Sequence, residues 1–236
     1  MLGELLYERG QLDEAEALLD DAYELGAEGG IVDFMLAAFG TGARLKLARG
    51  DAAAGHRRVD DGLEIARQLQ LPRLEARLLY EGVRLAAMSG GPIDDSVAQR
   101  IAGAGPQQPE LIEDAQIRLL LIDGTESSLE AACRRARARL EHVDKSKRPR
   151  AHLYATLQLA LCLAVAGKID EAQRVFAPAL RTCAALGLSR LLLDEGPQML
   201  RLMKDAVDAK ELSSDGPTTL SNVRDFVSNL FETSSI

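Results

Sequence analysis

Three arginines recur at one place in the sequence. Arg44, Arg84 and Arg118 each stand six residues before a glycine, namely Gly50, Gly90 and Gly124. Guanidinium groups held in register can grip an anion through paired N–H donors, which a lysine ammonium cannot do. Tyr80, Glu81, Asp114, Tyr154 and Gln158 fall near the same register and add hydroxyl, carboxylate and amide groups. The line has two readings. It is a ligand face for an anionic molecule or an acidic peptide, or each arginine pairs with Glu81, Asp114 or another acid on a neighbouring element. Helices packed side by side would space the three by roughly 10 Å.

No other grouping has the types and spacing that catalysis requires. His56 lies in the polar run His56-Arg57-Arg58, read as exposed, and His142 and His152 flank a charged loop with no paired nucleophile. The acidic pairs Asp20-Asp21, Asp60-Asp61 and Asp94-Asp95 are consecutive, so on a helix the two carboxylates diverge and cannot share a proton. Cys133, Cys162 and Cys183 are odd in number and widely spaced, which fits buried free thiols rather than a disulfide framework or a zinc set. Gly40-Thr41-Gly42-Ala43-Arg44-Leu45-Lys46 has the wrong spacing for a phosphate-binding loop. These residues predict a binding module with no catalytic residues, no metal and no cofactor.

Composition narrows the partners. The formal net charge of −8 disfavours general nucleic-acid binding. A local basic run (Arg134, Arg135, Arg137, Arg139, then Lys145, Lys147, Arg148 and Arg150) reads first as a solvated helix face entering a charged loop. Leu157 to Ala166 is the longest apolar stretch and is too short to span a bilayer. A cytoplasmic protein that does not meet the membrane is expected, since no segment resembles a signal peptide.

The elements that would hold these residues are helix pairs. Gly10-Gln11-Leu12-Asp13-Glu14-Ala15 and Gly167-Lys168-Ile169-Asp170-Glu171-Ala172 share one pattern, and Gly50-Asp51-Ala52-Ala53-Ala54-Gly55 is a looser copy. Glycine closes one helix in the left-handed conformation, acids begin the next, and the small residue lets the two cross closely. Leu19 and Ala22 match Phe176 and Ala179, while Gly3 matches Ala160 as a small crossing residue. Turn glycines Gly10, Gly50, Gly90, Gly124 and Gly167 divide residues 1–187 into five helix pairs. Within the second pair the spacing predicts a helix near 31–49, and Pro178 is expected to bend the last helix without breaking it. Capping helices are expected over 188–212. A linker around Ser213 to Pro217 and a terminal amphipathic helix, together 213–236, would lead to a further domain. Leu2, Leu5 and Leu6 open the first pair with no neighbour to cover them, which reads as a piece of a larger protein or a surface that meets a partner.

These residues carry a resemblance. The helix pairs are TPR-like. Leu5-Leu6-Tyr7-Glu8-Arg9-Gly10-Gln11-Leu12-Asp13-Glu14-Ala15, Ala48-Arg49-Gly50-Asp51 and, above all, Leu193-Asp194-Glu195-Gly196-Pro197 resemble the superhelical region of large ATP-dependent LuxR-type transcription regulators, the MalT-like group. The resemblance covers residues 1 to about 210. It implies an all-α, TPR-like superhelix acting as the regulatory or sensor region of such a regulator, with the Arg44, Arg84 and Arg118 line on its concave face. The partner would be a small-molecule inducer or a protein or peptide, and DNA would be met only through a domain outside this chain. A protein-docking scaffold from the C-terminal region of a bacterial Ser/Thr kinase is the alternative.

Overall fold

The structure is a computed structural model that describes residues 2–29, 31–89, 93, 95–103, 109–208 and 217–233. Every regular element among them is helical. Gly90, Asp94 and the linker residues 213–216 lie outside the described residues, so the Gly90 turn, the Asp94-Asp95 pair and the expected linker stand as sequence readings only.

The helices run in pairs because the turn glycines do what their pattern predicts. Gly10, Gly50, Gly124 and Gly167 all have positive φ, between 67° and 83°. After Gly10 the chain closes with Gly10 N–H on Tyr7 C=O (2.9 Å) and Gln11 N–H on Leu6 C=O (2.9 Å). After Gly167 it closes identically, with bonds to Ala164 (3.1 Å) and, from Lys168, to Leu163 (2.9 Å). This doubled bond satisfies the carbonyls a helix end would otherwise leave open. Gln70 makes the same closure without being glycine, at φ 52°, with Leu71 N–H on Ala66 C=O at 2.8 Å.

The chain divides into two compact units, Met1–Leu119 and Leu120–Ile236. In the first, α1 (Leu2–Glu8) pairs with α2 (Leu12–Leu25). The predicted helix near 31–49 is found as α3 (Val32–Met35), a π-helical turn (Leu36–Thr41) and α4 (Gly42–Ala48). The Gly42 N–H reaches back five residues to Ala37 C=O, which is the π signature. Then come α5 (Ala52–Gln68), α6 (Pro72–Ser89), α7 (Asp95–Ala102) and α8 (Pro109–Asp123), the last crossing the division. Two apolar clusters fill this unit. One joins Tyr7, Ala15, Leu19, Ala37 and Leu45; the other runs from Ala22 and Phe39 through Leu63 and Leu78 to Ile112 and Ala115.

The second unit holds α9 (Glu126–His142), α10 (Pro149–Val165), α11 (Ile169–Leu186), the short α12 (Arg190–Leu193), α13 (Pro197–Asp208) and α14 (Pro217–Thr233). α10 packs against α9, α11 and α13, and the residues Leu153, Ala155 and Leu157 through Leu163 are all buried. A helix that is apolar nearly all round must be central, and its sequence says so. α11 continues through Pro178 to Leu186. Val223, Val227 and Leu230 of α14 are buried, and α14 packs on α11 and α13. Ala15 and Ala172 are both fully buried, as are Leu19 and Phe176, so the two best copies of the repeat place equivalent residues alike. All three cysteines are buried free thiols.

Candidate functional site

The arginine register points at the middle of the first unit. Arg77, Tyr80, Glu81 and Arg84 recur at three- and four-residue intervals along α6, so they share one face of it. Arg44, supplied by α4 immediately after the π turn, sets its Nε 3.3 Å from a Glu81 carboxylate oxygen. Arg77 reaches the other Glu81 oxygen at 2.7 Å. Arg44 also donates to Thr41 Oγ1 at 3.2 Å, and Thr41 donates to Glu4 Oε1 at 3.4 Å. The guanidinium of Arg44 lies 5.2 Å from the Tyr7 ring centroid. From α8, Arg118 donates to the Tyr80 hydroxyl at 3.5 Å and lies 5.6 Å from its ring centroid. Asp114 is one turn before Arg118 on α8 and half-buried.

Glu4, Thr41, Arg44, Glu81, Arg77, Tyr80 and Arg118 thus form one connected polar chain across α1, the π turn, α4, α6 and α8. Its middle is enclosed: Arg44 is 5% and Arg118 6% exposed and Glu81 has no exposed surface, while Arg84, on the same face of α6, is 1% exposed. Charges so buried require paired, hydrogen-bonded surroundings. For Arg44 the internal pairing with Glu81 is realised. All three arginines of the register are thus buried, with Arg44 answered by Glu81 and Arg118 set against Tyr80. Gly40 packs directly beneath Glu81, since a Cβ added there would sit 3.5 Å from Glu81 Cγ.

Tyr154 and Gln158 fall in the second unit. There Arg139 donates to Gln158 Oε1 at 3.5 Å, with Gln158 buried, and Arg150 donates to the half-buried Tyr154 hydroxyl at 3.4 Å. Within the basic run, Arg137 pairs with Glu171 at 2.5 Å, while Lys145, Lys147, Arg148 and Arg150 are exposed.

One polar site was missed. Arg58, expected on an exposed run, is buried, while His56 and Arg57 are exposed. Its guanidinium pairs with Asp20, donates to the carbonyls of Leu19 and Ala38 at 3.3 Å each, and stacks 4.3 Å from the Tyr23 ring centroid. The overlooked signal is the stripe Gly55, Val59, Gly62, Leu63 and Ala66 on α5: Arg58 lies inside it, on the face where the glycines let α5 approach Ala43, Phe39 and Leu78 closely. Gly42 is part of the same accommodation, because a Cβ there would run into the Arg58 guanidinium. The Tyr23 hydroxyl donates to Asp61, and that bond, with burial and the Asp61 charge, holds the phenol above its ordinary range. Arg77 was legible too, since it stands four residues before Glu81.

The motif Leu193-Asp194-Glu195-Gly196-Pro197 is structural in this fold. Asp194, with no exposed surface, pairs with Arg190 at 2.6 Å, and Gly196 turns the chain at φ 82° into α13.

Among the described residues no group of His, Cys, Asp or Glu could hold a metal ion, and no helix is long and apolar enough to cross a membrane. Comparison with known proteins places these features in a family. The chain is 40% identical over 201 residues to serine/threonine-protein kinase PknK of Mycobacterium tuberculosis, both strain CDC 1551 / Oshkosh and strain ATCC 25618 / H37Rv. The same identity holds for PknK of Mycobacterium bovis. Each match covers 83% of this chain and 18% of the relative, so the chain spans about a fifth of the length of the curated relatives it matches. No solved structure matches. The family described as the MalT-like TPR region matches residues 1–209, and with its glycine-closed helix pairs and all-helical fold the chain belongs to that family.

Proposed function

We propose that the chain is a regulatory, ligand- or partner-receiving region of a larger cytoplasmic signalling protein, acting by binding rather than by catalysis. The observation that carries this is the 40% identity, across 83% of the chain, to a protein named a serine/threonine kinase. It supports a kinase as the effector that the region serves. The family's MalT-like description favours a second effector, a LuxR-type transcription regulator that meets DNA through a separate domain.

The candidate receiving site is the cluster of Arg44, Arg84 and Arg118 with Tyr80, Glu81 and Asp114. Its enclosure suits a compact ligand with an anionic or hydroxyl group better than an extended peptide, because arginine forks in a dry interior hold small anions strongly. Such a ligand would compete with the Arg44–Glu81 pair, and that exchange would bias the packing of α4 on α6.

The test uses the natural-length protein. Removing residues 1–209 is expected to change its kinase activity or its transcriptional output, and an unchanged output in both assays sinks the reading. Replacing Arg84 and Arg118 together by Ala is expected to abolish the response to the regulatory stimulus. If the double variant responds normally, the receiving site lies elsewhere.

A further inference from the structure

The two best copies of the repeat let each position be compared with its equivalent. Aligning Gly10 with Gly167 sets Leu2 against Leu159, Leu5 against Cys162 and Glu14 against Glu171. In the later copy, α9 packs along α10, Leu159 and Cys162 are buried at 3% and 0% exposure, and Arg137 of α9 pairs with Glu171 at 2.5 Å. In the first copy the same positions are open. Leu2 is 62% and Leu5 44% exposed, and neighbouring Leu18 on α2 is 40% exposed. Glu14 is exposed and, among the described residues, has no ion-pair partner. The second repeat agrees with the later one. Leu45, five residues before Gly50 as Leu5 is before Gly10, is fully buried against Tyr7 and Leu19 of the preceding pair. In both of these copies, where a preceding helix packs alongside, the face is buried.

We propose that Leu2, Leu5 and Leu18, with Glu14 at their edge, form the docking face for a further basic amphipathic helix of the same polypeptide, lying on α1 as α9 lies on α10. Leucines at this spacing ask for an apolar stripe, and Glu14 asks for an arginine or lysine where Arg137 serves Glu171. The relatives, of which this chain covers 18%, have ample polypeptide to supply such a helix. A second copy of the chain fits poorly. Pairing this face with itself would bring exposed Glu14 and Asp21 towards the same acids of the other copy, and like charges across an interface are unfavourable.

The test is thiol accessibility. Leu5→Cys is introduced into the 236-residue chain and into the natural-length protein, and both are labelled with a maleimide. The three cysteines of the chain are buried, and each protein without the introduced thiol, labelled alongside, sets the background. Labelling of the introduced thiol is expected to fall by about tenfold or more in the natural-length protein, as exposure controls thiol reactivity. Equal labelling in both overturns the proposal. So does protection that appears in the 236-residue chain as its concentration is raised, which would make the occupant a second copy. Glu14→Lys puts a cation in the first turn of α2 in both proteins, so it is expected to lower the Tm of the natural-length protein by about 2–4 °C more than that of the 236-residue chain. An equal fall in both removes the basic helix as the occupant.

Discussion

Arg44 Nε lies 3.3 Å from a carboxylate oxygen of Glu81, and neither side chain reaches solvent appreciably. Glu81 also receives Arg77 at 2.7 Å, so one buried carboxylate ties α4 to α6 and answers two guanidinium groups. Removing it strands charge inside the unit. Glu81→Gln is expected to destabilise by about 3–5 kcal/mol, the range for breaking a buried pair from one side. Urea denaturation checks this. The double variant Arg44→Met with Glu81→Gln should cost less than the sum of the two single changes, and strict additivity would mean the two side chains do not couple.

Gly62 sits where α5 meets both α6 and the π turn. A Cβ there would stand 2.6 Å from Leu78 Cδ1 and 2.8 Å from Phe39 Cβ, with both neighbours in the apolar core. Gly62→Ala is therefore expected to destabilise by about 1–3 kcal/mol, despite alanine's better helix propensity. A denaturation midpoint at or above the parent's would show that α5 and α6 can separate freely.

How far the sequence speaks for itself follows from cases such as these. The helix pairs were legible because Gly10, Gly50, Gly124 and Gly167 each mark a left-handed closure, and Ala15 and Ala172 each mark a crossing; these signals are local. The arginine register was legible as a set, since Arg44, Arg84 and Arg118 are all buried in one unit. Its enclosure was not, because burial depends on how α4, α6 and α8 pack, and the register carries no such information. The π turn was hidden for a related reason: Leu36 to Thr41 has the composition of an ordinary buried helix, and the extra residue per turn is set by its fit against α2, α5 and α6. Arg58 was misread because its exposed neighbours His56 and Arg57 masked a stripe of small residues on the opposite side of the turn.

Gln70 closes α5 at φ 52°, in the conformation that glycine supplies at the other turns. A side chain in that region costs roughly 1–2 kcal/mol. Gln70→Gly is expected to relieve part of this and raise stability by up to about 1 kcal/mol, the loss of unfolded-state restriction taking back the remainder. A fall in the thermal midpoint would mean that the Gln70 side chain makes a contribution larger than its backbone strain.

Cys183 lies fully buried on α11, and burial pushes its thiol from 9.0 up to about 12. In the unfolded chain the same thiol ionises near its ordinary value. Between these two values the folded state holds a proton that the unfolded state has released, so stability must fall as pH rises through that window. Below about pH 9 both states keep the proton and the residue contributes no pH dependence. Other groups also titrate in alkali, so the comparison is with Cys183→Ala, which keeps a small apolar side chain at the site. The expected result is that the parent loses stability faster than the variant between pH 9 and pH 11, while the two curves run parallel from pH 6 to pH 8. Urea midpoints measured across that range decide it. If the curves stay parallel throughout, the folded thiol ionises as readily as the unfolded one, and Cys183 is reached by solvent in the folded protein.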